Sequence, residues 1–144
     1  MLRCLAFLFL SCGCVGQLWS CPLEGYWKSD AERTLSSFRL AQGVSEKQKE
    51  LFENNFFGKL YMHIECERFT AVMEGWHEIT EYERVTSSDE VVVIKFNSEI
   101  EGEVVRKAVI EGACYSLAVN EGQFKEYFCP ITKREFLEAR ASVR

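Results

Sequence analysis

The chain has 144 residues, 47% of them hydrophobic and 27% charged, a length that suits one compact domain and is short for two. Its 17 Lys and Arg against 22 Asp and Glu give a net charge of -5, which excludes the broad basic surface that neutralises phosphates, so nucleic acid is not an expected partner. Two prolines and nine glycines, with no repeat or low-complexity tract, exclude a disordered tail and a collagen-like array.

Seven cysteines suggest a disulfide framework, but Cys4, Cys12, Cys14 and Cys21 all fall within the first 21 residues. There Arg3 precedes the apolar run Leu5-Ala6-Phe7-Leu8-Phe9-Leu10, too short to cross a bilayer of about 30 Å as a mature helix. The pattern is that of an export signal. Its removal takes away Arg3 and no acid, moving the net charge from -5 to -6.

Leu18-Trp19-Ser20-Cys21 resembles the bacterial lipobox, which places the signal at residues 1–20 and a single domain at 21–144, with Cys21 as the lipid-attachment residue. The chemistry requires cysteine there because its thiol takes a diacylglyceryl group in thioether linkage. Trp19 departs from the small or aliphatic residue usual at that place, and Phe9-Leu10-Ser11-Cys12 is a second match with a shorter signal. Ordinary secretory cleavage after Gly16, leaving Gln17 first, is the alternative. It retains four cysteines, whereas lipidation at Cys21 leaves Cys66, Cys114 and Cys129, one of them unpaired.

Residues 24–28 form a short strand, after which Ser29-Asp30-Ala31-Glu32 has the spacing of a helix capping box. A second box, Ser45-Glu46-Lys47-Gln48, precedes the apolar stripe of Leu51, Phe52 and Phe56, so two short helices are expected over residues 30–56. From Gly58 the period changes to two: Leu60, Met62, Ile64 and Cys66 alternate with Tyr61, His63, Glu65 and Glu67. Phe69–Met73 follows at once and predicts a hairpin. Further strands are expected over 78–85, 91–96, 104–110, 113–119 and 124–130, separated by turn-rich segments. Eight antiparallel strands with short connections form an up-and-down meander, and closing it into a barrel removes both exposed edges. Thr132-Lys133-Arg134-Glu135 is a third capping box, opening a C-terminal helix with Phe136 and Leu137 available to the barrel wall.

With Glu121-Gly122 as a turn, Val119 faces Phe124, Leu117 faces Glu126 and Tyr115 faces Phe128, a mostly apolar side that points inward. The same register sets Cys114 opposite Cys129 on the outer face, where a hydrogen-bonded pair has Cα atoms about 5.5 Å apart, within disulfide range. Two separate buried thiols are the alternative. Cys66 is then an odd thiol, or the partner of Cys21 where that residue carries no lipid.

Gly25-Tyr26-Trp27, followed by helices, a barrel meander and a terminal helix, resembles the lipocalin or calycin plan, whose first strand bears Gly-x-Trp. The start Gly25-Tyr26-Trp27-Lys28-Ser29-Asp30 and the late pair Tyr127-Phe128 are similar to the exported lipocalin-like lipoproteins of bacteria. The resemblance implies that Gly25 and Trp27 close one barrel end and that an arginine lies over the indole, a cation–π contact of roughly 0.5–2 kcal/mol. Arg134 is the nearest candidate for that arginine, later in the chain than the family pattern places it. The two helices after the first strand depart from a typical lipocalin and are similar to the fatty-acid-binding branch, whose ten strands will not fit here.

His63 and His77 are the two histidines, and neither sits in a zinc-ligand spacing, so no metal or cofactor is expected. Glu81 and Glu83 share a strand face, which is ordinarily a solvated one. No nucleophile elbow or phosphate loop is present, so an enzyme is not expected. Eight strands enclose an interior that side chains fill or that admits one small apolar ligand. Alternation nominates Met62, Phe69, Met73, Tyr82, Ile94, Phe96, Tyr115 and Phe128 as lining, though each serves equally well as core packing. The expectation is a lipoprotein of the cell envelope, facing the periplasm, that binds or carries a hydrophobic small molecule. The alternative is a filled barrel acting as an interaction module.

Overall fold

The computed structural model describes residues 21–53, 56–99, 101–119 and 121–143. The segment read as a signal, residues 1–20, lies outside the described residues, and with it the alternative cleavage points. Eight strands occur in chain order: β1 (Gly25–Ser29), β2 (Tyr61–Ile64), β3 (Arg68–Met73), β4 (Trp76–Ser87), β5 (Val91–Ser98), β6 (Gly102–Glu111), β7 (Cys114–Val119) and β8 (Phe124–Pro130). Helices α1 (Ala31–Arg39) and α2 (Glu46–Glu53) lie between β1 and β2, and α3 (Lys133–Ala141) follows β8. Spatial order equals chain order, every pairing is antiparallel, and β8 returns to β1 to close the barrel.

Period-two alternation builds the wall as expected. Met62 pairs with Ala71 and Ile64 with Phe69, so these residues share the inner face while Tyr61 and His63 face outward. β4 is two residues longer at each end than the pattern 78–85 predicts. A register shift at Val85, between Arg84 and Thr86, lets it continue beside β5. The last hairpin has the predicted register, Val119 to Phe124 and Tyr115 to Phe128. Glu121 (φ 55) and Gly122 (φ 84) both adopt left-handed backbone at its turn.

Barrel closure is only partly a matter of strands. β1 pairs with β8 over three positions, Trp27 to Pro130, Lys28 to Cys129 and Ser29 to Phe128. Beyond Ser29 the chain turns into α1, and the helix takes over the uncovered half of β8. The Thr34 hydroxyl accepts the Tyr127 N–H at 3.0 Å and the Ser37 hydroxyl accepts the Lys125 N–H at 2.9 Å. Donors that a longer β1 would have satisfied are thus met by two side chains on one helix face. The same face buries Thr34 and Phe38, and Phe38 packs on Phe52, Phe57 and Phe124.

The start of α1 differs from the expected capping box. Asp30, not Ser29, is the N-cap, accepting the Arg33 N–H at 3.0 Å. Ser29 still belongs to β1, so its side chain serves the barrel instead, donating to Glu126 and accepting the Gly58 N–H at 3.2 Å. Gly58 (φ 84) passes so close to α1 that a Cβ there would stand 2.8 Å from the Ala31 Cβ. At the other terminus the capping box of Thr132 and Glu135 forms as read. Phe136 is buried against Tyr26 and His63, whereas Leu137 is turned to solvent.

Candidate functional site

The barrel encloses a cavity of about 360 Å³, walled by residues of β2 through β7. Seven of the eight side chains nominated from alternation line it: Met62, Phe69, Met73, Tyr82, Ile94, Phe96 and Tyr115. Phe128 does not. It is buried on β8, stacked on Tyr115 with ring centroids 5.0 Å apart. Phe69 contacts both Phe96 and Tyr82 across the apolar wall.

One end of the barrel is plugged. Trp27 packs edge-on against Tyr115 at 5.0 Å and its indole N–H donates to the Leu23 carbonyl at 2.8 Å, setting the Leu23 side chain into the core. A disulfide between Cys21 and Cys66, with Cα atoms 5.5 Å apart, fastens this N-terminal segment to the end of β2. The second disulfide joins Cys114 to Cys129 with Cα atoms 4.3 Å apart. That is the spacing of a non-hydrogen-bonded pair, closer than the 5.5 Å expected for the hydrogen-bonded kind.

The opposite end, where β3 turns into β4 and β5 into β6, carries the polar lining: Glu78, Ser98, Glu101 and Arg106, with Met73 and Trp76 beside them. Arg106 Nη2 contacts both carboxylate oxygens of Glu101, at 3.1 and 2.8 Å. The Thr80 hydroxyl donates to Glu78 at 3.2 Å. On the β7–β8 side this end is covered by α1 and α2, through Phe38, Phe52 and Phe57 over Phe124 and Val119.

Several sequence expectations change here. Arg134 is nowhere near Trp27: it projects from the first turn of α3 into solvent, 3.8 Å from Glu138 on the same helix. The cation–π contacts in the described residues are those of Lys28 with Tyr61 and Arg33 with Tyr127. Gly25 (φ +146) lies beside the indole of Trp27. The Cys21 sulfur is occupied by the bond to Cys66, and a sulfur in a disulfide cannot also carry a thioether, so lipidation and this bond are mutually exclusive.

Sequence reasoning missed Leu23, Glu101 and Arg106. Arg106 was within reach, because Ala108 lies opposite Leu117 and Arg106 is two residues further along the same inner face. Glu81 and Glu83 belong to a larger open surface hollow of about 940 Å³, facing Arg68 and Lys95 across their strand pairs, as a solvated face would. Among the described residues one group has metal-ligand proximity, Cys21, Glu24 and Cys66. Both its sulfurs are in the disulfide, and metal ligation needs thiolates.

Glu126 is the one acid on the inner face of β8, opposite Leu117, and it accepts a hydrogen bond from Ser29 at 2.7 Å. Burial pushes its carboxyl above the usual carboxylate range, and the Ser29 hydrogen bond only partly offsets this. A raised folded-state pKa gives stability that is complete below the unfolded value and lost as pH rises through the folded one. Glu126→Gln should therefore stabilise the protein at neutral pH and not in acid. Urea midpoints of both proteins on either side of the carboxylate range check this, and a variant weakened at neutral pH contradicts it.

An antiparallel eight-stranded barrel, plugged at one end and holding an apolar cavity with a polar mouth, is the class of protein that these features define. No family model matches the chain, and no curated protein or solved structure is significantly similar to it.

Proposed function

We propose that the chain is an exported, disulfide-stapled barrel of lipocalin-like plan that binds a small apolar molecule without converting it. The observation that carries this reading is the cavity of about 360 Å³ with its largely hydrocarbon and aromatic lining, a size and character suited to one small ligand. Two disulfides accord with an oxidising compartment outside the cytosol. With Cys21 bonded to Cys66, the reading takes the unanchored mature form over the lipoprotein. The inner surface is met by ligand through the mouth beside Met73 and Trp76, since Leu23 stops the other end.

The test is native mass spectrometry of the exported protein after incubation with a cell-envelope lipid extract. A reproducible bound mass, on a polypeptide whose own mass carries two disulfides and no acyl group, is the expected result. A ligand-free protein under these conditions would favour the interaction-module reading. A diacylglyceryl adduct would restore the anchored one.

A further inference from the structure

Cys21 and Glu24 stand on one tight turn, Cys21-Pro22-Leu23-Glu24, closed by the Glu24 N–H donating to the Cys21 carbonyl at 2.9 Å. Cys66 stands on another, the β2–β3 connection, closed by the Glu65 N–H donating to the Arg68 carbonyl at 2.9 Å. The disulfide joins the two turns, and each is closed by a backbone bond of its own, so reduction separates them without unmaking either. A carboxylate oxygen of Glu24 lies within 4.8 Å of both sulfurs, and the Arg84 guanidinium reaches Cys21 Sγ at 3.5 Å. Resting on the reading that Cys21 carries no lipid, we propose that the reduced form of this latch is a zinc site. Cys21, Cys66 and Glu24 hold the cation, which keeps the Leu23 plug fastened when the disulfide is open.

An external dithiol supplies two electrons and two protons and leaves as a disulfide, while the bond between Cys21 and Cys66 breaks to give two thiols. Zinc then displaces both thiol protons, because thiolates are the ligands. Zinc bonds of about 2.3 Å to sulfur and about 2.1 Å to oxygen set ligand atoms roughly 3.6–3.8 Å apart around a tetrahedron. With Cα atoms 5.5 Å apart, the two sulfurs reach that separation by side-chain rotation, and the exposed Glu24 side chain closes the rest. Water takes the fourth position. Two thiolates select against calcium and magnesium, and a carboxylate beside them suits zinc. These three ligands carry three negative charges against the two positive ones of the metal, and Arg84 supplies the balancing charge next to Cys21. At the second disulfide Asp30 lies 3.6 Å from Cys129, but among the described residues the Cys21 group is the one that brings three ligand atoms together.

The test is titration of the full mature protein with cobalt(II), a coloured stand-in for zinc, before and after reduction by a water-soluble phosphine, which leaves no competing thiol. Wild type, Glu24→Gln and Cys21→Ser/Cys66→Ser are compared. Reduced wild type should take up cobalt with a thiolate-to-metal charge-transfer band, release about two protons per metal and give the cobalt up to zinc. The oxidised protein should show no such band, nor should the reduced double variant, which retains Cys114 and Cys129. Glu24→Gln should form the disulfide normally and, once reduced, bind roughly tenfold more weakly. Zinc should also raise the urea midpoint of the reduced wild type and leave that of the double variant unchanged. No band in the reduced wild type, an equal band in the double variant, or undiminished affinity in Glu24→Gln overturns the zinc site. The first and third of these results do not require the double variant to fold. An acyl adduct on Cys21 in the intact mass overturns instead the unanchored reading on which the site rests.

Discussion

Reducing both disulfides is expected to lower the unfolding free energy by about 5–7 kcal/mol, most of the stability of a typical domain of about 5–15 kcal/mol. The bond between Cys114 and Cys129 closes a separation of 15 residues, for which chain-entropy reasoning gives about 3 kcal/mol. The bond between Cys21 and Cys66 closes a separation of 45, for which it gives about 4 kcal/mol. Their structural consequences differ more than these figures. Cys114 and Cys129 join strands that already pair through five neighbouring positions, so the hairpin survives reduction. Cys21 instead fastens a segment with no strand partner, and its release frees Leu23 from the barrel floor. Denaturant curves with and without a thiol reductant, compared with a Cys21→Ser/Cys66→Ser double variant, measure the two contributions. A double variant as stable as the wild type would mean that these two sulfurs are not joined, and the thioether at Cys21 would again be open.

The barrel was legible because its evidence is local and repeated. Alternation from Leu60 to Pro130 gives each strand its inner face, and short turns leave neighbours no choice but to pair. The disulfide of Cys114 with Cys129 followed from one turn and one register. What sequence did not show depends on where irregular backbone carries a side chain. Glu101 reaches Arg106 through the conformation of the β5–β6 connection, which no periodicity encodes. Ser29 reads as a cap by spacing, yet its place at the end of β1 commits its hydroxyl to Glu126 and Gly58. Arg134 fails for a related reason: the capping box of Thr132 fixes the start of α3, and the helix then turns Phe136 inward and Arg134 outward. The sealing of β8 by Thr34 and Ser37 needed the knowledge that β1 stops short, which its own residues do not state.

Phe38→Ala is expected to cost about 3–5 kcal/mol, the range for deleting a fully buried aromatic ring. Phe38 is 1% exposed and lies 5.1 Å from Phe124, 5.5 Å from Phe52 and 5.8 Å from Phe57 between ring centroids, so it joins α1 to α2 and both to the barrel. The three rings around it are rigid and close-packed, so they collapse only partly into the volume left. The damage should not stay in the aromatic cluster. If α1 loosens, the N–H groups of Lys125 and Tyr127 lose Ser37 and Thr34 as acceptors and open to exchange with water. Amide exchange in Phe38→Ala should therefore accelerate first at Lys125 and Tyr127, ahead of Val92 and Ala108 on the far wall. Leu40→Ala is the control, since Leu40 follows the same helix but is 84% exposed. Its urea midpoint should match the wild type. Uniform acceleration across the barrel in Phe38→Ala would mean that α1 and the strands open as one unit. Acceleration confined to β8 would mean that the helix is a separable part of the wall, which opens at far lower cost than unzipping strands.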